Sequence, residues 1–565
     1  MNSLRIMMLN LPSGPFPTDY PPVAISRVIE GLDPALNAKV SFINLDIERL
    51  SWEVLSSRIA AFDPHVIGIS AILTTTYRTF KELSMQLRSK YPKIVQILGG
   101  EMGVVADLLL SYTEIDFIVI GEAEPTFSHL LAQLLNNGFN RNPELYASIS
   151  GLCLRQGGLP FFTGYAKEDK IAGSRQINWE LLEKHSDINQ YIHPINGQYF
   201  RIRLAHSRMD DFLNLLYPEN RDKNLTTMFA SKGCVNHCTF CHRFFQGYRT
   251  LDVDEVLSHV DYLIKRFNIG LILFSEENFG QHREKTRHLV QELKKRRINW
   301  AATAVRVRSV NEDMIREWRA SGCVHINFGI ETLSEKMLCV MEKNATVEEN
   351  LNALRWCQEN QILVVIGFLI GMPGETHETI AENIRLVDRL IPENPRLPFQ
   401  YYINYYQAVP GAPAYDYARL KGMIGRDKEE ERYLLSLSGV NADNLSHYLN
   451  FTDEPIEEVY FWQYWLIAEL IGAYIRKHGL FYTLSNKRSL AYWSMIPYAW
   501  CPAALREQVF RGVIIARRFG IRSLFVNHKL LIKTKHASVD RSLRKIVREH
   551  LPASLSSIET LRLGR

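Results

Sequence analysis

Leu225-Thr-Thr-Met-Phe-Ala230-Ser-Lys-Gly233-Cys234-Val-Asn-His-Cys238-Thr-Phe-Cys241 is the stretch on which the reading of this chain turns. An apolar, β-prone run feeds a glycine, and three cysteines follow within eight residues, so the cysteines lie on a loop at the C-terminal end of a strand. In a chain of 565 residues with only 8 cysteines, such a cluster is not a disulfide framework. Three thiolates at this spacing wrap three corners of a cubane iron–sulfur cluster. One iron is then left open to a ligand, unless Cys323, Cys339 or Cys357 supplies the fourth thiolate. Zinc is the alternative, with His237 or His242 as the fourth ligand, although zinc sites more often pair two Cys-x-x-Cys knuckles. The cysteines outside the cluster, Cys153, Cys323, Cys339, Cys357 and Cys501, fall singly, as small buried hydrophobes do.

Downstream of this loop, strand-like runs recur at Leu271–Phe274, Ala301–Ala304, His325–Phe328, Leu363–Leu369 and Phe399–Tyr405, with helical periodicity at Arg283–Arg296, Glu312–Ala320 and Val347–Glu359. Counting Leu225–Ala230, six β/α units predict a partial (β/α)6 barrel over residues 220–425. Upstream, Leu4–Leu9, Lys39–Ile43, Val66–Ser70, Val95–Leu98 and Phe117–Ile120 alternate with helical patterns at Val23–Leu32, Trp52–Ala61, Thr79–Lys90 and Ala123–Leu135. That alternation predicts a Rossmann-like, doubly wound α/β domain over residues 1–140, with ligands at the C-terminal strand ends. The loops there are Asn10–Pro22, Ser70–Thr76, Gly99–Val104 and Gly121–Pro125. Residues 141–219 read as a linker with local strands. Asp427–Leu437, Glu454–Lys477 and Ala503–Arg518 read as helices of a mainly helical domain over residues 426–565.

Composition narrows the class further. With 46% hydrophobic and 22% charged residues the chain can bury ordinary cores, and a formal charge of +5 over this length calls for neither nucleic acid nor membrane as a partner. The N-terminus has no basic start or cleavage site, and the apolar run Phe461–Ile475 is too short for a membrane span and carries Glu469. A cytoplasmic location without a transmembrane segment is expected.

The spacing Cys-x-x-x-Cys-x-aromatic-Cys, with Phe240 as the aromatic, resembles the radical S-adenosylmethionine (SAM) superfamily. The resemblance extends to Phe274-Ser-Glu-Glu-Asn-Phe279, to Arg306 within AVRVRSV, and to Gly322–Thr332, which is similar to a "GC…GIES" strand. It also takes in Gly371-Met-Pro-Gly-Glu-Thr376, similar to a "GLPGET" turn, and Pro410-Gly-Ala-Pro413. It implies a [4Fe–4S] cluster on Cys234, Cys238 and Cys241, whose open iron chelates the amino and carboxylate groups of SAM. One electron then cleaves SAM to methionine and a 5′-deoxyadenosyl radical, which takes a hydrogen atom from substrate, with a flavodoxin or ferredoxin as electron donor. Within that picture Arg306 can pair the SAM carboxylate, and Glu331 or Glu277 can accept from its ammonium or ribose hydroxyls. The alternatives are a barrel-interior salt bridge between Arg306 and an acid and, for the segment after Gly371, a plain turn rather than a backbone approach to adenine.

Ile97-Leu-Gly-Gly-Glu101 and Asp116–Phe127 resemble the cobalamin-binding domain of one large radical SAM subfamily, which reads "GG(x)H…D(x)VV(x)GEGE(x)T". The resemblance places cofactor contacts at Gly99, Gly100, Gly121 and Glu122, where glycine-rich strand ends let a flat macrocycle lie on the sheet edge. Met102 stands in place of the usual histidine, Ala123 replaces a glycine, and Asn10–Gly14 lacks the Asp-x-His-x-x-Gly motif, so no protein imidazole is expected on cobalt. A degenerate domain without cofactor is the alternative; a nicotinamide site is disfavoured because no G-x-G-x-x-G follows the first strand. A radical generator beside cobalamin implies methyl transfer to an unactivated carbon or to phosphorus. The runner-up is radical cyclisation or rearrangement, as in the anaerobic magnesium-protoporphyrin ester cyclase group. A cobalamin- or redox-sensing binding protein is the non-enzymatic alternative. Methylthiolation of tRNA is disfavoured, since no cysteine precedes Cys153.

A basic C-terminal stretch carries Arg506, Arg511, Arg517, Arg518, Arg522, Lys529, Lys533, Lys535, Arg541, Arg544, Lys545 and Arg548. It reads either as a solvated helical face or as a dock for an anionic or carrier-bound small-molecule substrate or a lipid surface. The aromatic run Tyr460–Trp465 reads as core, or as a cover over substrate.

Overall fold

The computed structural model describes residues 3–14, 16–71, 76–167, 176–195, 215–242, 247–397, 399–437, 445, 448–486, 501–519 and 539–551. Five apolar runs in the first third form strands β1 (Arg5–Asn10), β2 (Lys39–Asn44), β3 (Val66–Ser70), β4 (Val95–Gly99) and β5 (Phe117–Val119). Helices cover both faces, which is why most of these strands read as continuous apolar runs rather than alternating ones. Their order in the sheet is β2-β1-β3-β4-β5 and every pairing is parallel. The order reverses between β1 and β3, and such a reversal leaves a crevice at the C-terminal strand ends.

This sheet does not end near residue 140. Strands β6 (Leu152–Gln156) and β7 (Leu159–Phe162) form an antiparallel hairpin that adds to β5. Gly157 and Gly158, both at positive φ, make its two-residue turn. The segment expected as a linker therefore supplies two strands to the first sheet, and part of it, residues 168–175 and 196–214, lies outside the described residues.

The second sheet begins at β8 (His193–Pro194), which edges β9 (Asn224–Met228) in antiparallel fashion. A small hairpin of β10 (Ser231–Gly233) and β11 (Tyr248–Thr250) brackets the cysteine loop. Then come β12 (Ile269–Phe274), β13 (Asn299–Val305), β14 (Cys323–Glu331), β15 (Leu363–Ile370) and β16 (Phe399–Tyr405). From β9 to β16 the six strands are parallel and lie in sequence order, the pattern of a partial barrel. The crossover helices are amphipathic: Val253–Phe267 buries Val256, Leu257, Val260 and Leu263, and the Asp252 carboxylate caps its start by accepting from the backbone N–H of Asp254 and Glu255.

Among the described residues, the helices after residue 426 pack against both sheets. Lys428–Ser436 reaches back to the first sheet: Glu431 accepts from Tyr77 Oη at 3.1 Å and pairs Lys81 at 2.5 Å, and Leu434 joins the apolar core beneath that sheet. Ile456–His478 packs on helix His377–Arg385 and on β15 and β16, and Ala503–Phe519 packs on Ile456–His478. Among the described residues, no helix is long and apolar enough to cross a membrane.

Candidate functional site

Gly233, at φ 73°, turns β10 into the cysteine loop. The loop is held by its polar residues. Asn236 donates through Nδ2 to Cys238 Sγ at 2.9 Å and to the Lys343 carbonyl at 3.0 Å, and its Oδ1 accepts from Asn344 Nδ2 at 3.0 Å. Thr239 donates through its backbone N–H to the Met341 carbonyl and through its hydroxyl to the Val340 carbonyl, at 2.8 and 2.9 Å. The Ala414 N–H donates to the Thr239 carbonyl and Arg544 donates to the His237 carbonyl. Cys234, Cys238 and Cys241 lie within electrostatic reach of one another. Enclosure by protein, with Cys238 and Glu277 nearby, pushes the Cys241 thiol up to about 12, although its side chain opens on to the barrel mouth. Holding Cys238 and Cys241 as neighbouring thiolates takes nearby positive charge, which a cluster supplies.

Among the described residues no three His, Cys, Asp or Glu side chains close on one ion. Neither His237 nor His242 completes a tetrahedral zinc set there, whereas a cubane takes its thiolates at separate corners. Cys323 and Cys357 are fully buried beside each other, Cys323 at the start of β14, the barrel end remote from the loop. Cys339 is exposed on a short helix, Glu335–Val340.

Above the loop, the ends of β13 and β14 are irregular. Their register shifts between Ala302 and Val305 and again between Phe328 and Glu331, and both Ala304 (φ 52°) and Glu331 (φ 64°) sit in the left-handed region. Bulges of this kind re-aim side chains at functional strand ends. Arg306 follows directly, within electrostatic reach of Cys238, and its guanidinium forms no ion pair among the described residues. The expected alternative, an Arg306–acid bridge, is thus not what the structure contains. Glu331 instead pairs Lys343 at 3.0 Å.

The two acids after β12 part company. Glu277 faces the mouth near Cys241. Glu276 is only 5% exposed and accepts from Ser231 Oγ at 3.3 Å, and burial pushes its carboxyl up to about 8. Phe279 packs on Trp300 and Trp318 and anchors that corner. At the Gly371 turn, Glu375 accepts from the backbone N–H of Gly371 and Met372, and Tyr448 Oη donates to the Gly371 carbonyl at 3.0 Å. A side chain at Gly371 or Gly374 would meet Tyr448 or Val539, so on that side the glycines give room to the chain itself rather than to adenine.

At the C-terminal ends of β1, β3, β4 and β5 lies a slot of about 680 Å³, part of it open to solvent. Its walls include Ile25, Val28, Ile69, Leu98 and Phe127. Gly99 and Gly121 border it, and a Cβ at either would meet nothing within 4 Å. Gly100 differs: at φ 105° its Cβ would run into the Ala71 carbonyl, so its absence of side chain serves the backbone. Open space beside two glycines in an apolar slot fits a flat heterocycle with a polar tail. Met102 is fully buried in the core and offers nothing to that slot. Glu122 is at its edge, but its carboxylate is committed across the domain junction, to Lys232 at 3.0 Å and to Arg249. Lys232 immediately precedes Gly233, so the slot and the cysteine loop share a wall. Glu101, just past Gly100, is pushed up to about 8 by burial and by Glu277, which places the two sheets' strand ends face to face.

Several of these residues escaped the reading of the sequence. Lys343 and Asn236 are isolated polar residues without periodic signal, and Lys232 and Arg249 gain meaning only from a partner more than 100 residues away. Of the basic C-terminal residues, Arg506 pairs Glu469 and Arg544 pairs Glu342 with both partners largely buried, so these two brace the fold, whereas Arg511, paired with Glu458, and Arg541, paired with Glu549, stay solvated. Arg522, Lys529, Lys533 and Lys535 lie outside the described residues. In the aromatic run, Phe461, Trp462 and Trp465 are buried core.

Residues 228–387 match the Radical SAM superfamily and residues 14–131 match the B12 binding domain. The chain is 24% identical over 381 residues to the anaerobic magnesium-protoporphyrin IX monomethyl ester cyclase of Rubrivivax gelatinosus, covering 65% of this chain and 62% of the relative. It is 23% identical over 336 residues to the cytidylyl-2-hydroxyethylphosphonate methyltransferase of Streptomyces wedmorensis, covering 57% of this chain and 61% of the relative. The matched part is thus less than two thirds of either relative. In fold it is similar to the radical SAM methyltransferase TsrM of Kitasatospora setae, solved with cobalamin and a [4Fe–4S] cluster bound, with a TM-score of 0.53 at 18% identity over 75% of this chain and 76% of that one.

Proposed function

We propose that this chain, which joins a B12 binding domain to a radical SAM domain, is a cobalamin-dependent radical SAM enzyme that methylates an unactivated carbon, or phosphorus, of a small-molecule substrate. The observation that carries the reading is the junction. A three-thiol loop and a glycine-bordered apolar slot, each at the C-terminal strand ends of its own sheet, meet across Glu122, Lys232 and Arg249. When bound, the cluster and SAM supply a radical, and cobalamin supplies a methyl group.

The chain's own residues bind and orient. Cys234, Cys238 and Cys241 hold the cluster, and Asn236 orients Cys238 by its hydrogen bond to sulfur. Arg306, without an ion pair of its own, takes a carboxylate in bidentate fashion. Glu331 accepts an ammonium, and Gly99 and Gly121 leave room for the cobalamin tail. A one-electron donor of the flavodoxin or ferredoxin kind is required from outside.

The test is an anaerobic incubation with methyl-labelled SAM, a one-electron reductant and small-molecule extract of the source cells. Methyl transfer gives labelled product together with S-adenosylhomocysteine and 5′-deoxyadenosine. A second reading, radical cyclisation, is favoured by the likeness to the Rubrivivax cyclase. It gives 5′-deoxyadenosine and unlabelled product. Absence of 5′-deoxyadenosine overturns both.

A further inference from the structure

Lys343 has a surrounding that the SAM site as drawn above does not explain. Its side chain is 12% exposed, and its ammonium is 3.0 Å from Glu331 Oε1 and 5.3 Å from the centre of the Phe240 ring, and Phe240 lies between Cys238 and Cys241 in the loop itself. The backbone on both sides is in the left-handed region, at Glu342 (φ 49°) and Asn344 (φ 50°). Asparagine tolerates this conformation, but for Glu342 it costs energy and persists because the residue is held. Ser542 and Arg544 grip Glu342, and Asn236 exchanges hydrogen bonds with the Lys343 carbonyl and with Asn344. A strained tripeptide is thus bolted to the cysteine loop from two sides, and what it presents there is one buried positive charge.

Cluster potentials respond to nearby net charge and to hydrogen bonds at sulfur. A three-thiolate cluster becomes more negative by one charge on reduction, and a buried cation beside it favours that state. Paired with Glu331, the Lys343 charge is largely cancelled.

We propose that Lys343 is the counter-cation of the three-thiolate site and that Glu331 keeps it in reserve. When the amino group of SAM donates an N–H to Glu331, it competes with the Lys343 contact, the Lys343 ammonium is released from the carboxylate toward the thiolates, and the cluster becomes easier to reduce. This rests on the radical SAM reading of the same site. The single electron comes from the external one-electron donor, and Lys343 stays protonated throughout. Reduction is thereby tied to the presence of SAM.

The test is potentiometric titration of the anaerobically reconstituted chain, followed by EPR, with and without SAM. In the wild type, SAM raises the cluster potential. Lys343→Met lowers it, so that at one fixed potential the ratio of reduced to oxidised cluster falls about tenfold, and it weakens the response to SAM. Lys343→Arg restores both in part. Glu331→Gln raises the potential without SAM and abolishes the SAM response, and it serves if Lys343→Met fails to assemble. Unchanged potentials in Lys343→Met, or iron loss with unchanged potential in the remaining cluster, overturn the proposal and leave Lys343 a merely structural residue. A wild-type chain that assembles no cluster overturns the underlying reading too, and is recognised by absent iron rather than by an unmoved potential.

Discussion

The two parallel sheets of this chain open their sites by opposite means. The first does so by subtraction. Gly99 and Gly121 leave space at the strand ends, and the walls are apolar. The second does so by addition. Bulged ends of β13 and β14 turn Arg306 and Glu331 toward a loop that carries three thiols, with Lys343 beneath. A site made of absent side chains selects by shape and is blocked by filling it. A site made of charges selects by electrostatics and is disabled by removing one member.

The largest expected effect lies on the charged side. Replacing Cys234, Cys238 or Cys241 with alanine abolishes iron retention in anaerobically reconstituted protein, measured by iron and sulfide content. Replacing Cys323 or Cys357, buried in the barrel core, leaves iron content unchanged.

On the subtractive side, neighbouring glycines separate binding from folding. Gly100→Ala forces a Cβ into the Ala71 carbonyl at a left-handed position and lowers stability by about 2–4 kcal/mol, seen in denaturant unfolding. Gly99→Leu enters open space; the unfolding transition of the cofactor-free chain stays put while cobalamin affinity falls about tenfold or more in absorbance titration. Equal destabilisation by both would erase the distinction between the two kinds of glycine. A smaller effect belongs to Arg306→Met, which weakens SAM binding about tenfold in equilibrium dialysis at unchanged iron content.

Val66–Ser70 was legible because its apolar run is buried, and it begins and ends as read from the sequence; Phe399–Tyr405 does so too, although it is an edge strand and its Tyr402 is exposed. The β6–β7 hairpin was not, since Leu159–Phe162 is short and half exposed, and its Gly157-Gly158 turn stands inside an otherwise irregular stretch. The cysteine loop was legible from spacing alone. Lys343 was not, because a single lysine without periodic context gains its role from Glu331, twelve residues earlier on another element, and from strain at φ angles that a sequence does not display. Likewise Glu122 was readable as a strand-end residue, but its commitment to Lys232 and Arg249 depends on how the two sheets meet.

The smallest effect concerns the helical cover. His377 lies between Glu458 and Glu507, at 2.8 and 2.9 Å, and stacks on Trp465. Its hydrogen bond to Glu458 raises its pKa above the usual 6.5. A histidine whose folded pKa is raised contributes stability that is full below the unfolded value and is lost as pH rises through the folded one. As pH rises above about 6.5, the wild type therefore loses about one or two degrees of Tm more than His377→Gln, by differential scanning fluorimetry.

The central claim is that one chain holds both cofactors at facing strand ends. It is tested most directly by the iron and cobalamin content of protein reconstituted anaerobically with iron, sulfide and cobalamin, then freed of excess. About four irons and one cobalamin per chain, retained together, is the predicted result. A chain that retains zinc in place of iron and releases all its cobalamin contradicts it.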